Sequence, residues 1–243
     1  MKNRVRSVCS VLAGAVLGAT VSAASASPLR ITADVSGASH YFWRGYDLLG
    51  GAKLPVQPAL TATAENGLSA GIWGSAALLD RGTTDGADEL DLTASYSRPV
   101  VPGIEASAGG TYYYLPNNST ASTAELFASA AFVEIPFEPT LTAYYDTKWL
   151  DDSNAEADGW YFLAAASHSV SVGGFPVELS AGLGFAANST FTGPQDLTLR
   201  AATTIPVGRA TLTPFLSPIL VFEDAVNSDT FGFCGGVSVN YAF

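Results

Sequence analysis

Acidic side chains recur at even spacing along several segments of the chain, and this spacing is the first sign of chemistry. Glu89 and Asp91 are separated by one residue, and Asp196 and Arg200 lie four residues apart. Successive side chains of a β-strand point to opposite faces, so residues at even spacing share a face. Carboxylates gathered on one face of a low-dielectric wall attract cations. The pattern therefore predicts a charged inner surface, with no single reactive centre.

We expect eleven residues to line that surface, because each shares the parity of the polar face. They are Asp34, His40, Arg44, Trp73, Glu89, Asp91, Glu105, Glu125, Glu178, Asp196 and Arg200. Acids outnumber bases in this set, which favours a water-filled pore with a preference for cations. The alternative is a filled interior, in which the acids are hydrated or pair with Arg44 and Arg200. The Trp73 ring would fill part of such a lumen.

The sequence gives little support to a catalytic site. A serine nucleophile needs a histidine beside it and a third group that orients the histidine. His168 lies between Ser167 and Ser169, whose side chains would point to the opposite face of a strand. With two histidines, two cysteines and one methionine, the chain also lacks a nitrogen and sulfur ligand cluster. We therefore expect no enzymatic activity, no metal centre and no cofactor.

The charged faces have apolar counterparts that indicate a membrane. In the segment 89–98, Leu90, Leu92, Ala94 and Tyr96 occupy the face opposite the acids. The final segment, 231–243, alternates aromatic and apolar residues with small or polar ones and ends on Phe243. A charge facing lipid costs about 2–4 kcal/mol near the membrane midplane, so the apolar faces should point outward and the charged faces inward.

Turn signals divide the chain into hairpins. Short Pro- and Gly-containing turns are expected at 66–67, 99–103, 135–139, 173–176 and 206–209, and longer polar loops at 45–57, 79–88, 115–122, 148–158, 188–194 and 223–228. Five turns and six loops join twelve strands. This alternation predicts an all-β fold, an antiparallel up-and-down transmembrane barrel of about twelve strands. A secreted or periplasmic β-sandwich or jelly roll is the alternative.

Residues 1–26 read as a signal peptide, and residues 27–243 as the barrel. Lys2, Arg4 and Arg6 precede an apolar stretch from Val8 to Val21, and 24–26 form an Ala-Ser-Ala cleavage site. Removal of this segment leaves 8 basic and 22 acidic residues, a net charge of −14. Such a chain is not expected to bind nucleic acid.

The expected location is the outer membrane of a Gram-negative cell, with both termini in the periplasm. The expected partners are outer-membrane lipid, the barrel-assembly machinery and small solutes. Tyr241 and Phe243 should matter for membrane assembly, because they close the lipid-facing row of the last strand.

Several segments resemble a family of bacterial outer-membrane proteins regarded as porins, the Gcw_chp or TorF-type proteins. The segments with this resemblance are Tyr41-Phe42-Trp43-Arg44-Gly45, Ala70-Gly71-Ile72-Trp73-Gly74-Ser75, Glu89-Leu90-Asp91 with Ser95-Tyr96, and Gly110-Thr111-Tyr112-Tyr113-Tyr114-Leu115-Pro116. Together they cover roughly residues 36–116. The resemblance implies a barrel and a porin function, and it implies no particular substrate.

The sequence thus predicts a narrow outer-membrane channel for small hydrophilic solutes. A non-conducting barrel with a structural or surface-recognition role is the alternative. Twelve strands would enclose a lumen narrower than that of general porins with 16 to 18 strands.

Overall fold

The computed structural model describes residues 29–50, 53–81, 88–119, 122–147, 159–188, 191–224 and 226–243. The predicted signal peptide lies outside these ranges. The strands are β1 (Leu29–Ala38), β2 (Phe42–Trp43), β3 (Tyr46–Asp47), β4 (Pro55–Ala64), β5 (Leu68–Ala77), β6 (Glu89–Val101), β7 (Ile104–Tyr114), β8 (Thr123–Phe132), β9 (Thr140–Asp146), β10 (Gly159–Val172), β11 (Phe175–Asn188), β12 (Thr192–Thr203), β13 (Ile205–Val207), β14 (Ala210–Val221) and β15 (Phe231–Ala242).

The strands form a closed antiparallel barrel. Each strand from β4 to β12 pairs with the next, β1 pairs with both β4 and β15, and β12 pairs with β14. Since β12 and β13 both pair with β14, they act as one interrupted strand, and β2 and β3 form a separate hairpin. The wall therefore has twelve strands, which confirms the predicted fold. Closure leaves no free strand edge.

The connections differ in length between the two ends of the barrel. At one end, here called the short-turn end, tight turns join β4 to β5, β6 to β7, β10 to β11 and β13 to β14. The longer loops lie at the other, the long-loop end. One predicted loop, 188–194, is wrong in extent, because β11 continues to Asn188 and β12 begins at Thr192. The pairing of β11 with β12 shifts register at a bulge between Gly184 and Phe185.

The alternation of burial along the strands separates an outer apolar face from an inner polar one. On β8, Glu125 is 2% exposed while its neighbour Leu126 is 58% exposed. The sequence left the faces of β10 unassigned, and here Tyr161 and Leu163 point inward while Trp160 and Phe162 point outward. No helix within the described ranges is long and apolar enough to span a membrane.

Aromatic rings collect on the outer face near both ends of the barrel. At the long-loop end, Trp160 lies 4.9 Å from Tyr145 and 5.7 Å from Phe162, measured between ring centroids. At the short-turn end, Tyr241 and Phe243 lie 4.8 Å apart. Amphipathic rings favour the interface between lipid and water, so the two groups mark the borders of the membrane-spanning zone.

Candidate functional site

The loop after β1 turns into the barrel and crosses it at the long-loop end. Strand β1 ends at Ala38, and the short β2–β3 hairpin pairs Phe42 with Asp47 and Trp43 with Tyr46. Residues 41–49, here called the lumenal hairpin, include deeply buried side chains, such as Tyr41 at 2% exposure. The candidate site consists of this hairpin and the wall residues that hold it.

Tyr41 attaches the start of the hairpin to the wall at β5 and β6. Its hydroxyl donates a 2.7 Å hydrogen bond to Glu89 Oε2, and its ring lies 5.6 Å from that of Trp73. Leu49 and Ala77 complete this buried group. Burial and the neighbouring Glu89 carboxylate raise the pKa of the Tyr41 hydroxyl well above its usual value, so it remains a donor.

Phe42 packs against another part of the wall, at β14 and β15. It belongs to the cluster that contains Ile219 and Cys234, and His40 stacks on its ring at 5.6 Å. A Cβ at Gly232 would lie 2.6 Å from the Phe42 ring, so that position needs glycine for the hairpin to fit. Cys234 Sγ donates to the carbonyl oxygen of His40 at 3.3 Å.

Arg44 reaches the far wall and enters a set of aromatic and acidic groups. Its Nη2 donates to Glu125 Oε1 at 2.8 Å and lies 2.7 Å from Oε2. The guanidinium carbon lies 4.2, 4.5 and 4.6 Å from the ring centroids of Tyr161, Trp43 and Tyr144. Tyr113 also donates to Glu125 Oε1, at 3.0 Å. We call Glu125, Tyr113, Tyr144, Tyr161 and Trp43 the arginine cage.

The cage keeps the arginine charged. Burial alone would lower the pKa of Arg44, but the Glu125 carboxylate reverses this effect and holds the pKa above its usual value. Ring faces and a carboxylate together suit a planar guanidinium better than an ammonium group.

The backbone at the tip of the hairpin is fixed from the side of β12. Gln195 Nε2 donates to the Arg44 carbonyl oxygen at 2.7 Å. Arg44 has a φ of +52° and Gly45 a φ of +87°, both in the left-handed region. A Cβ at Gly45 would lie 3.2 Å from Val221 and Val226. Glycine therefore lets the tip approach the wall closely.

Predicted site residues lie at two levels of the barrel. Glu89, Asp91, Trp73, Glu125 and Asp196 surround the lumenal hairpin. Glu105 and Glu178 point inward near the short-turn end.

The distance between these levels follows from the strand register. Asp91 pairs with Tyr113, which is eight residues beyond Glu105 on β7, about 26 Å at ~3.3 Å per residue. Asp196 pairs with Gly184, six residues beyond Glu178, about 20 Å by the same rise. The carboxylates therefore do not form one group.

The remaining predicted residues show that parity along the sequence does not by itself place a residue on the barrel wall. Asp34 lies on the inner face of β1, opposite Ala59 and Asn240. The assignment of His40 and Arg44 to the strand wall was wrong, because β1 ends before them and the hairpin carries them into the lumen.

The expected pairing of acids with arginines occurs at Arg44 and not at Arg200. Arg200 lies over the Phe215 ring at 4.9 Å, and its Nε and Nη2 atoms have no hydrogen-bond partner among the described residues. Asp196 instead accepts a hydrogen bond from Tyr161 at 2.9 Å.

The sequence interpretation missed the aromatic residues that hold Arg44. In the sequence, the aromatic clusters at 41–43, 112–114, 144–145 and 160–162 are typical of a girdle at the membrane interface. Alternation divides them instead, since Tyr113, Tyr144 and Tyr161 are buried in the lumen while Tyr114 and Trp160 are exposed outside. The parity of Tyr113 relative to Glu105 on the same strand was the signal that could have shown this.

A cavity of about 300 Å³ opens beside the cage at the long-loop end. Its lining includes Trp43, Arg44, Tyr46, Asp146, Tyr161 and Gln195. The cavity gives solvent a route to the exposed edge of the caged guanidinium. Among the described residues, no three His, Cys, Asp or Glu side chains come together in a way that could hold a metal ion.

Comparison with known proteins agrees with this architecture. Residues 22–198 match a family described as "Bacterial protein of unknown function (Gcw_chp)". The fold is similar to a KdgM porin in complex with disordered oligogalacturonate, with a TM-score of 0.53, 9% identity, and coverage of 88% of this chain and 99% of that one.

A second similar structure is a NanC porin, with a TM-score of 0.51, 9% identity, and coverage of 88% of this chain and 98% of that one. No curated protein sequence matches the chain. At such identities the likeness establishes the fold, that of outer-membrane porin barrels.

Proposed function

Since the chain belongs to the Gcw_chp family and has a porin-like barrel, we propose that it is a narrow outer-membrane channel for small hydrophilic solutes. The observation that carries this proposal is the closed twelve-stranded wall with an apolar outside and a polar, acidic inside. An inner face of this kind is costly in a filled protein core, where charges need partners, and is usual in a hydrated lumen.

The lumenal hairpin sets the width of the proposed channel. It reaches strands on all sides of the barrel, from β5 and β6 through β8–β10 to β14 and β15. Solutes must therefore pass beside the hairpin or displace it. This arrangement supports a low conductance and selection by size.

The charges of the lumen support a preference for cations. The Arg44 charge is compensated by Glu125, and the carboxyl groups of Asp34, Glu89, Asp91, Glu105 and Asp196 outnumber the charge of Arg200 on the inner face. Carboxylates in a low-dielectric wall raise the local concentration of cations. The oligogalacturonate named with the KdgM structure is a polyanion, and an acidic lumen would disfavour such a solute here.

We propose that the short-turn end, where β1 begins and β15 ends, faces the periplasm. The lumenal hairpin then lies at the outer opening. Short turns on the periplasmic side and longer loops outside are the common arrangement in bacterial barrels. On this orientation a solute from outside meets the cavity and the arginine cage first.

The proposal assigns no catalytic activity to the chain. His168 is on the outer face of β10, where its ring packs 5.1 Å from that of Phe137. His40 contacts Ser39 Oγ at 3.1 Å and stacks on Phe42, a geometry that supports packing of the hairpin.

A non-conducting barrel is the second candidate, and the tight fit of the hairpin favours it. Single-channel recording of the purified protein in planar bilayers distinguishes the two. We expect small, stable conductance steps and a reversal potential under a salt gradient that indicates cation selectivity. Absence of conductance in verified barrels would support the second candidate, and anion selectivity would contradict the assignment of charge control to the acids.

A further inference from the structure

The arginine cage has the composition of a ligand site, and most of it belongs to the barrel wall. Tyr113, Glu125, Tyr144 and Tyr161 lie on four consecutive strands, β7 to β10, and Tyr144 pairs directly with Tyr161. Only Trp43 comes from the lumenal hairpin. The wall therefore presents a carboxylate and two ring faces in one place, whatever group fills the space between them.

The guanidinium of Arg44 fills this space, and its shape and charge indicate which kind of group the wall binds. A guanidinium is planar, so it can stack on rings while its N–H groups donate to a carboxylate in the same plane. Arg44 does both, with ring distances of 4.2 to 4.6 Å and a hydrogen bond of 2.8 Å from Nη2 to Glu125 Oε1. An ammonium ion could use the charge but has no planar face to stack on the rings.

The cavity beside the cage supplies the second observation. It has a volume of about 300 Å³ and is lined by Trp43, Arg44, Tyr161 and Asp146, so a solute in it would touch the cage directly. This volume lies at the lower end of the range for small-molecule sites, about 300–1,000 Å³. Its aromatic rings and the Asp146 carboxylate suit a small organic cation.

We propose that the wall part of the cage is a binding site for a solute that carries a guanidinium group, and that Arg44 is its tethered competitor. The solute enters the cavity, and its guanidinium replaces that of Arg44 between Tyr144, Tyr161 and Glu125. Loss of the Arg44 contact then leaves the tip of the hairpin held by the Gln195 hydrogen bond and by its packing on the wall. The consequence for transport rests on the proposed channel function, whereas the binding itself does not.

Removing the Arg44 side chain tests whether the wall binds a guanidinium-bearing solute. In the Arg44→Ala variant the cage is empty, and methylguanidinium should quench or shift the intrinsic fluorescence of the detergent-solubilised barrel in a saturable way. A group tethered by a short loop acts at an effective concentration in the millimolar range or above, so the wild type should need a much higher concentration of methylguanidinium. Tetramethylammonium at equal ionic strength tests charge and cation–π attraction without a planar N–H donor, and NaCl tests screening.

A variant of the Glu125 carboxylate provides the specificity control. Glu125→Gln in the Arg44→Ala background should weaken methylguanidinium binding by about tenfold or more, since the charge-assisted hydrogen bond to the carboxylate is lost. Arg200→Ala, which removes a lumenal arginine outside the cage, should bind methylguanidinium no better than the wild type. Heat-modifiable migration and the β-sheet circular dichroism of each variant verify that the barrel is folded.

Three results would overturn the inference. These are no saturable methylguanidinium binding by folded Arg44→Ala barrels, equal binding of tetramethylammonium, and unchanged binding after Glu125→Gln. If Arg44→Ala does not fold, Arg44→Lys serves the same purpose, because it keeps a charge for Glu125 but has no planar group to stack on the rings. Methylguanidinium should compete at lower concentration than in the wild type. Binding without conductance would contradict the channel proposal alone, and conductance without binding would contradict this inference alone.

Discussion

Arg44 and Glu125 are 81 positions apart in the chain and meet across the lumen, with Nη2 of the arginine 2.7 Å from Oε2 of the carboxylate. The two residues join a loop that starts at β1 to a strand on the other side of the barrel. Both side chains are largely buried, at 10% and 2% exposure. The stability of the lumenal hairpin and the width of the lumen therefore depend on the same contact.

Breaking this pair from one side should destabilise the barrel. Glu125→Ala leaves the Arg44 charge buried without its carboxylate, and we expect a loss of about 3–5 kcal/mol in the free energy of unfolding. The double variant Arg44→Met/Glu125→Met removes both charges and should recover much of that loss. Urea unfolding of the barrel in phospholipid vesicles measures both. A double variant as unstable as Glu125→Ala would contradict the paired-charge explanation.

Displacing the hairpin tip should widen the channel. Gly45→Val adds a side chain 3.2 Å or less from Val221 and Val226, at a backbone position with a positive φ that strains any residue except glycine. We therefore expect the tip to move away from the wall and the single-channel conductance to rise. Gly50→Val is the matched control, because Gly50 also has a positive φ but a Cβ added there would have no atom of the described residues within 4 Å. Equal conductance in the two variants would mean that the fit of the tip does not control the width.

Charge removal near the hairpin should reduce cation selectivity more than removal at the other end. Glu89→Gln/Asp91→Asn and Glu105→Gln/Glu178→Gln each remove two carboxylates, but only the first pair lies beside the hairpin. The field of a carboxylate is screened over about 10 Å at 0.1 M salt, so charges at the narrow part should dominate. Reversal potentials in a salt gradient provide the comparison. A larger shift in the second variant would move the selective region to the short-turn end.

The end of the chain should be required for barrel closure. The backbone N–H of Phe243 donates to the Ile31 carbonyl oxygen at 3.0 Å, and Tyr241 pairs with Ala33, so both residues hold β15 against β1. Tyr241→Ser with deletion of Phe243 should reduce the yield of heat-modifiable, protease-resistant barrel severalfold. Phe231→Ser, at the other end of the same strand, is the control for a lost lipid-facing ring. A normal barrel yield from the truncated variant would show that Tyr241 and Phe243 are not needed for assembly.

The proposed orientation predicts which insertions reach the cell surface. An epitope tag at Asn118, in the loop between β7 and β8, should be labelled by antibody on intact cells. Tags at Asn66 or Gly174, in the tight turns, should be labelled only after the outer membrane is permeabilised. Labelling of Gly174 on intact cells would reverse the orientation.

The fold could be predicted from the sequence because alternation and turn signals are local. The pairs Glu125 with Leu126 and Asp91 with Leu92 show opposite burial, as a period of two requires. The levels of the charges could not be predicted, since parity gives the face of a strand but not the position of that residue relative to distant strands. Parity therefore grouped Glu89 with Glu105, although the two carboxylates lie far apart along the barrel.

The candidate site was harder to predict for a different reason. Loop residues have no periodicity, so nothing local indicated that the segment after Ala38 would fold into the lumen. The segments that resemble the family nevertheless converge there, with Tyr41 on Glu89, Arg44 on Glu125, and Tyr113 on the same carboxylate. Their meeting in space explains a pattern that the linear sequence showed only as separate aromatic and acidic motifs.

The contact between Cys234 and the backbone of His40 gives the molecule a natural reporter. Cys234 is the only cysteine after Cys9, it is 3% exposed, and the segment that leads into the lumenal hairpin covers it. A water-soluble thiol reagent can reach its sulfur only while that segment is away from the wall. The rate at which the reagent modifies the unaltered protein therefore measures how often this segment leaves the wall. The same rate under an applied voltage or with an added solute would show whether either one displaces the hairpin.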